Sequence, residues 1–171
     1  LAAANAAWAQ SPPVEQIVVT GSAVARALSD APYAVSIIDA DTLRSSGPLV
    51  NLSEAMARVP GLVVANRNNY AQDLQISARG FGSRSGFGVR GLRLYTDGIP
   101  ASMPDGQGQV SHFDLASAQR IEVLRGPFSV LYGNSSGGVI ALFSAPVREG
   151  RAEAAADVGS FGLHQLRASV A

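Results

Sequence analysis

Residues 121–127 read Ile-Glu-Val-Leu-Arg-Gly-Pro, and residues 139–143 read Val-Ile-Ala-Leu-Phe. Short apolar, β-branched runs bounded by Gly and Pro are strand signals. Working back along the chain, residues 92–96 form another such run, closed by the turn pair Asp97-Gly98. Residues 33–38, 62–65 and 74–77 read the same way, the last two flanking a polar tip that begins Asn66-Arg67-Asn68-Asn69-Tyr70. Helical signals are fewer. Asp39 or Asp41 can cap a short helix through Thr42, Leu43 and Arg44, stopped by Gly47-Pro48. Asn51, with Glu54 three residues on, makes a partial capping box. After it Leu52, Ala55, Met56 and Val59 share one helical face before Pro60-Gly61. Asp114 can cap another short helix over residues 115–118. The predicted class is α+β, a small mixed sheet with long Gly-rich connections. Such loops are uncommon unless they are functional or pinned by their surroundings.

The chain has 171 residues, with 13 basic side chains (all Arg), 13 acids and a formal net charge of zero. Nucleic-acid binding would call for a basic patch, so that class is excluded. With no Cys and only His112 and His164, disulfides, thiolate metal sites and a His-rich metal centre are excluded too. No run of about 18 apolar residues suggests a membrane-spanning helix. Residues 1–9 read Leu-Ala-Ala-Ala-Asn-Ala-Ala-Trp-Ala, and the closing Ala-Trp-Ala fits a signal-peptidase site. They are expected to be a signal-peptide remnant, with the mature chain starting near Gln10. Residues 10–31 read as a flexible arm interrupted by the apolar cluster Ile17-Val18-Val19-Thr20.

Two runs at the C-terminal end alternate. Ala154, Ala156 and Val158 interleave with Glu153, Ala155 and Asp157, and Leu166, Ala168 and Val170 interleave with Gln165, Arg167 and Ser169. Gly159-Ser160-Phe161-Gly162 joins them as a turn. A hairpin with one apolar and one polar face is the repeating unit of an outer-membrane barrel, although an edge hairpin on a soluble domain has the same period.

Two enzyme signatures lack their context. Residues 86–91 match G-x-G-x-x-G, but a polar loop precedes them and a β-like run follows, so no helix N-terminus is available for a pyrophosphate. Residues 133–137 match G-x-S-x-G around Ser135, but a nucleophile elbow needs a following helix. The irregular loop 100–109 is polar, and such loops bind ligands when a scaffold fixes them. Arg79 and Arg125 each precede Gly beside apolar residues. An arginine there is expected to pair with a carboxylate, for which Glu122 is an internal candidate.

These blocks, in this order, resemble the plug (cork) domain of TonB-dependent outer-membrane receptors. Ile17, Val18, Val19 and Thr20 look like the TonB box. Residues 52–62, Arg79-Gly80-Phe81, residues 95–100, residues 121–127, and residues 131–133 with 136–140 resemble the family's recurring blocks. The strings at 66–75, 79–85 and 100–109 are most similar to the branch that includes the pyrroloquinoline-quinone receptor. The resemblance implies an arm with a TonB box at 10–31, a plug at 32–147, and the first two strands of a transmembrane β-barrel at 152–171. A 22-strand barrel needs on the order of 200 residues in strands, so the chain is expected to be the N-terminal part of a longer receptor.

The resemblance also implies the site. Substrate would dock on plug-apex loops through Asn66, Arg67, Asn68, Asn69, Tyr70 and Gln72, through Ser83, Arg84 and Ser85, and through Ser102, Met103, Asp105, Gln107 and Gln109. Arg79, Glu122 and Arg125 would serve plug–barrel electrostatics. The implied partners are TonB, joined by strand addition, the remaining barrel strands, outer-membrane lipid and a small-molecule substrate. No resident cofactor is implied, iron entering only inside a transported chelate. The rival readings are a free-standing periplasmic binding domain and a hydrolase built on Ser135.

Overall fold

The computed structural model describes residues 17–18, 26–27, 33–69, 72–86, 88–126, 128–133, 135–146, 150 and 152–170. In chain order the elements are β1 (Ile17–Val18), β2 (Arg26–Ala27), β3 (Ala34–Asp39), α1 (Ala40–Ser45), α2 (Ser53–Met56), β4 (Leu62–Ala65), β5 (Gln75–Ala78), β6 (Leu92–Thr96), β7 (Ile99–Pro100), β8 (Ala118–Arg125), α3 (Ser129–Tyr132), β9 (Gly138–Ser144), β10 (Ala152–Val158) and β11 (His164–Val170). The signal remnant at 1–9 and most of the 10–31 arm lie outside the described residues. Where the arm is described it is paired, Ile17 opposite Ala27 and Val18 opposite Arg26.

A five-stranded mixed sheet in the order β3-β8-β9-β6-β7 forms the centre. β3, β8 and β9 pair antiparallel, while β9 and β6 run parallel. Parallel neighbours need a long crossover, and here residues 97–137 supply it. Alternation divides the sheet into two faces. Ile38, Ile121, Val123, Ile140, Leu142, Leu92 and Leu94 point to one side and pack with Leu43 of α1, Met56 of α2 and Ile76 of β5. The 101–117 connection is drawn into the same core by Val110, Phe113 and Leu115. The opposite face carries Glu122, Leu124, Val139 and Ala141, all buried. Near it, Tyr132 of α3 meets Tyr95 edge-on, and Phe128 meets Tyr33 at 5.1 Å.

The helix ends follow the expected side chains with two corrections. Asp39 caps α1, accepting from Thr42 N at 2.8 Å. α2 covers only Ser53–Met56 and stops short of Val59, while the capping box expected at Asn51 does close. The Glu54 carboxylate reaches back to Asn51 N and also to Leu49 N, while Asn51 Oδ1 accepts from Ser53 N. No helix forms at 115–118. Asp114 Oδ1 accepts from Ala116 N and Ser117 N, closing a turn, and Ala118 already belongs to β8. α3 has only four residues, too few to show a period in the sequence.

β10 and β11 form the expected hairpin, Ala156 opposite Leu166 and Asp157 opposite Gln165. Its apolar face points outward, with Val158, Leu166 and Val170 exposed at 78%, 86% and 85%. Its polar face turns to the plug. Arg167 binds Asp157 at 2.8 Å and donates to Pro48 O at 3.2 Å. A soluble edge hairpin would bury the other face.

The α1 cap gives a pH-dependent test. Thr42's hydrogen bonds hold the Asp39 carboxyl below its ordinary 3.8. A carboxyl lowered on folding contributes stability that is complete above its unfolded-state pKa and is lost as pH falls through the folded value. Asp39→Ala is expected to cost about 1 kcal/mol at neutral pH. Denaturant unfolding should show that gap shrink as pH falls below 3.8.

Candidate functional site

Three loops that the sequence singles out are each braced by their own polar side chains. In the β4–β5 tip, Asn66 Oδ1 accepts from Asn68 N at 2.8 Å, Arg67 donates to Gln72 Oε1 at 3.2 Å, and Gln72 N donates to Asn69 O. Asn68 takes a left-handed backbone (φ 53°), which asparagine tolerates. In the loop after β5, Ser83 Oγ donates to Gly80 O and Ser85 Oγ to Gly88 O, while Arg84 is exposed. Gly82 is packed so closely on Ile76 O and Arg90 O that a Cβ would collide with both. In the loop after β7, Ser102 Oγ accepts from Leu94 N, Met103 N donates to Gln107 O, and Asp105 Oδ1 accepts from Gln107 N.

The second and third loops are tied together. Val89 and Gly108 exchange backbone hydrogen bonds of 2.8 and 2.9 Å. Arg90 donates to Gln107 Oε1 at 3.3 Å and lies 3.7 Å from Asp105. Gln75, at the foot of the first tip, donates to Ser83 O at 2.6 Å. The first tip itself faces elsewhere. Asn66, Asn68, Asn69 and Gln72 line a cavity of about 490 Å³, whose other walls come from the segment before α2, from Val110–Leu115 and from Leu163 in the hairpin turn. Gln109 is exposed beside that cavity's Val110, while Val19, Thr20 and Tyr70 lie outside the described residues. No local sequence pattern marks the meeting of α2's approach and the hairpin turn with the tip.

The expected charge pairing is corrected. Glu122 is fully buried, but it accepts from Arg120 Nε at 2.8 Å, not from Arg79 or Arg125. The reason is strand parity. Glu122 sits opposite Ile37 and Ala141, whereas Arg125, three positions on, points to the other face, opposite Ala34 and Gly138. Arg125 donates to Pro60 O and to Ser36 Oγ. Arg79 is exposed in a left-handed turn (φ 50°), and its N–H donates to Gly61 O. Both arginines thus brace the Pro60-Gly61 turn. Arg120 is two positions from Glu122 and so on the same face. Its guanidinium lies 4.0 Å over the Phe143 ring.

Neither enzyme motif acquires its context. Residues 86–91 run from a loop directly into β6, and β9 follows Ser135, which is 1% exposed. Among the described residues no cluster of His, Asp and Glu could hold a metal ion.

Removing one partner of a buried ion pair strands the other. Glu122→Ala is expected to destabilise the fold by about 3–5 kcal/mol. Glu122→Gln, which keeps the side chain's shape and a hydrogen-bond acceptor, should cost less than Glu122→Ala in denaturant unfolding.

The family model described as the TonB-dependent Receptor Plug Domain matches residues 27–139, well over half of the chain. A hemin receptor of Yersinia enterocolitica is 30% identical over 128 residues, which are 74% of this chain and 17% of that protein. An iron-regulated outer membrane virulence protein of Vibrio cholerae is 33% identical over 129 residues, 74% of this chain and 19% of that protein. The chain therefore spans about a fifth of the length of these relatives. The alcaligin outer membrane receptor of Bordetella pertussis shares the fold, with a TM-score of 0.68 at 21% identity over 89% of this chain and 25% of that one. With its mixed sheet, its ordered blocks and the match over residues 27–139, the chain belongs to the TonB-dependent receptor plug family.

Proposed function

We infer that this chain is the plug, with the first barrel strands, of an outer-membrane transporter. It binds a scarce substrate, an iron chelate or related cofactor, and gates its energy-coupled uptake into the periplasm. The observation that carries this reading is the orientation of the β10–β11 hairpin. Its polar face lies on the plug through Arg167, and its apolar face is bare. That is the arrangement of a barrel wall with lipid outside and a plug inside. A free-standing periplasmic domain would leave those valines and Leu166 in water without return. The names of the hemin and iron-regulated relatives support iron acquisition.

In this reading Ile17, Val18, Val19 and Thr20 are the docking strand for TonB. Pairing with Arg26–Ala27 occupies one edge of Ile17–Val18 and leaves the other edge for a partner strand. Pulling on that strand from the periplasm would act on β3 and, through its full-length pairing with β8, on the sheet that supports the loops. Substrate contacts are assigned to the braced loops and to the cavity beside the first tip.

Deleting residues 17–20 from the full-length receptor is expected to abolish uptake and leave equilibrium substrate binding unchanged. Val18→Pro should act in the same direction, because proline removes the backbone donor that strand addition uses. Uptake of labelled substrate by iron-starved cells, beside binding to isolated outer membranes, separates the two effects. Undiminished uptake by the deletion would refute the box assignment.

A further inference from the structure

Between β8 and β9 the chain leaves the sheet after Arg125 and returns at Gly138. Its two ends stay together, because Arg125 and Gly138 are opposite each other in the β8–β9 ladder. Such an excursion is an Ω-loop, and it can swing without breaking a strand pair. Its base is tight. Gly137 N donates to Gly91 O at 2.8 Å, and a Cβ on Gly137 would collide with Phe81 and with Gly91 O. Its middle is loose. Gly126 and Gly133, on either side of α3, hold positive φ of 136° and 74°, and a Cβ on either would meet nothing closer than 3.7 Å. Leu131 N and Tyr132 N donate to Phe128 O, inside the loop itself. The loop's rings meet the rest of the plug edge-on at 5.1 Å, Tyr132 on Tyr95 of β6 and Phe128 on Tyr33.

Three polar atoms mark the same place. The Tyr33 hydroxyl, Arg93 Nε and Ser135 Oγ are shut off from water, and none has a hydrogen-bond partner. Ser135 lies in the loop, Tyr33 holds Phe128, and the Arg93 guanidinium comes within 3.7 Å of where a Gly133 Cβ would sit. A buried polar group without a partner disfavours the state that buries it. The closed loop is thus held by aromatic contact against a polar cost, and opening it returns these groups to water.

We propose that the Phe128–Tyr33 contact is a clasp that couples the N-terminal arm to this loop, so that traction on the arm displaces Tyr33 and frees α3 to swing off the sheet. The coupling rests on the transporter reading above and names the element that the arm moves. Tyr33 is where the arm enters the sheet. It precedes the first paired residue of β3, Ala34 opposite Arg125, and so moves before any β3–β8 hydrogen bond breaks. Edge-on aromatic attraction is confined to centroid separations of about 4.5–7 Å. A shift of one residue along the strand direction, about 3.4 Å, is enough to end it. Release uncovers the sheet face of Arg93, Tyr95, Val139 and Ala141, while β8 and β9 stay paired.

The test is thiol accessibility in the purified full-length receptor. A maleimide reagent labels a cysteine introduced within residues 1–171, which have none of their own, and mass spectrometry reads the rate at that residue. Ser135→Cys reports on the loop, and Ser77→Cys, buried on β5, reports on the fold. Tyr33→Ala and Phe128→Ala remove the clasp from either side. Each should raise labelling at position 135 about tenfold and leave position 77 unchanged. Tyr33→Phe, which keeps the ring and deletes the unpaired hydroxyl, should label at position 135 no faster than its parent. Equal acceleration at both positions means general loosening and overturns the clasp, as does no acceleration at position 135 in either alanine variant. In respiring cells labelling at position 135 should exceed that in cells treated with a protonophore, and deleting residues 17–20 should remove the excess. An excess that survives the deletion, or none in the intact receptor, overturns the coupling to the arm. The measurement on purified receptor involves no uptake, so the clasp stands or falls separately from the transporter reading, which box-independent uptake would remove.

Discussion

The structure depends on one strand buried on both sides. β9 lies between antiparallel β8 and parallel β6, and Val139, Ile140, Ala141 and Leu142 are buried whichever face they point to. Placing β9 parallel to β6 forces the chain through a long crossover, and that crossover carries the loop after β7, the whole of β8 and α3. The entrance to β9 admits only glycine. Gly138 has φ 133°, and a Cβ there would drive into Leu124 O. The exit is held by the turn that follows the neighbouring strand β6. Asp97, in a left-handed turn after β6, donates its N–H to Leu142 O, while its carboxylate accepts from Ser144 N at 2.7 Å and Ser144 Oγ at 2.8 Å. The chain therefore leaves the plug for the hairpin from a point fixed by the turn of a neighbouring strand.

A second chain of dependence runs through the segment before α2. Glu54 binds Leu49 N and Asn51 N, and Leu49 itself holds a positive φ of 56°, which a branched apolar residue adopts only when its surroundings impose it. That imposed bend presents Pro48 O to Arg167 of β11. The same segment walls the cavity. One carboxylate thus sets the seat of the barrel hairpin on the plug and part of the pocket shape together, so the two cannot shift independently.

What the sequence made legible follows from the range of the forces involved. The strands at 92–96, 121–124 and 139–143 declare themselves because their residues are apolar and their turns contain Gly. The hairpin declares itself by period, and its orientation then matches a barrel rather than a soluble edge. The helix expected after Asp114 fails because the same aspartate oxygen can close a tight turn, and Ala118 was already claimed by β8. Glu122 does not pair with Arg125 because residues three apart on a strand point to opposite faces. Arg120, two residues away on the same face, was the partner that alternation selects. The cavity was illegible for a different reason. Its walls come from four separate stretches of chain, and no local pattern encodes their meeting.

Zero net charge does not make the surface electrically uniform, because the charges are sorted. Around the loops the arginines are committed: Arg67 to Gln72, Arg90 to Gln107 and Asp105, Arg93 to Met103 O, Arg167 to Asp157 and Pro48 O. Arg84 is exposed on the loop after β5, away from the cavity lining. Most of these acceptors are neutral amides or carbonyls, so each guanidinium braces a loop and keeps its full positive charge; Asp105 and Asp157 alone among these partners offset it. The zero net charge is therefore a sum over separately placed charges that fix the loops, and not a uniformly neutral surface.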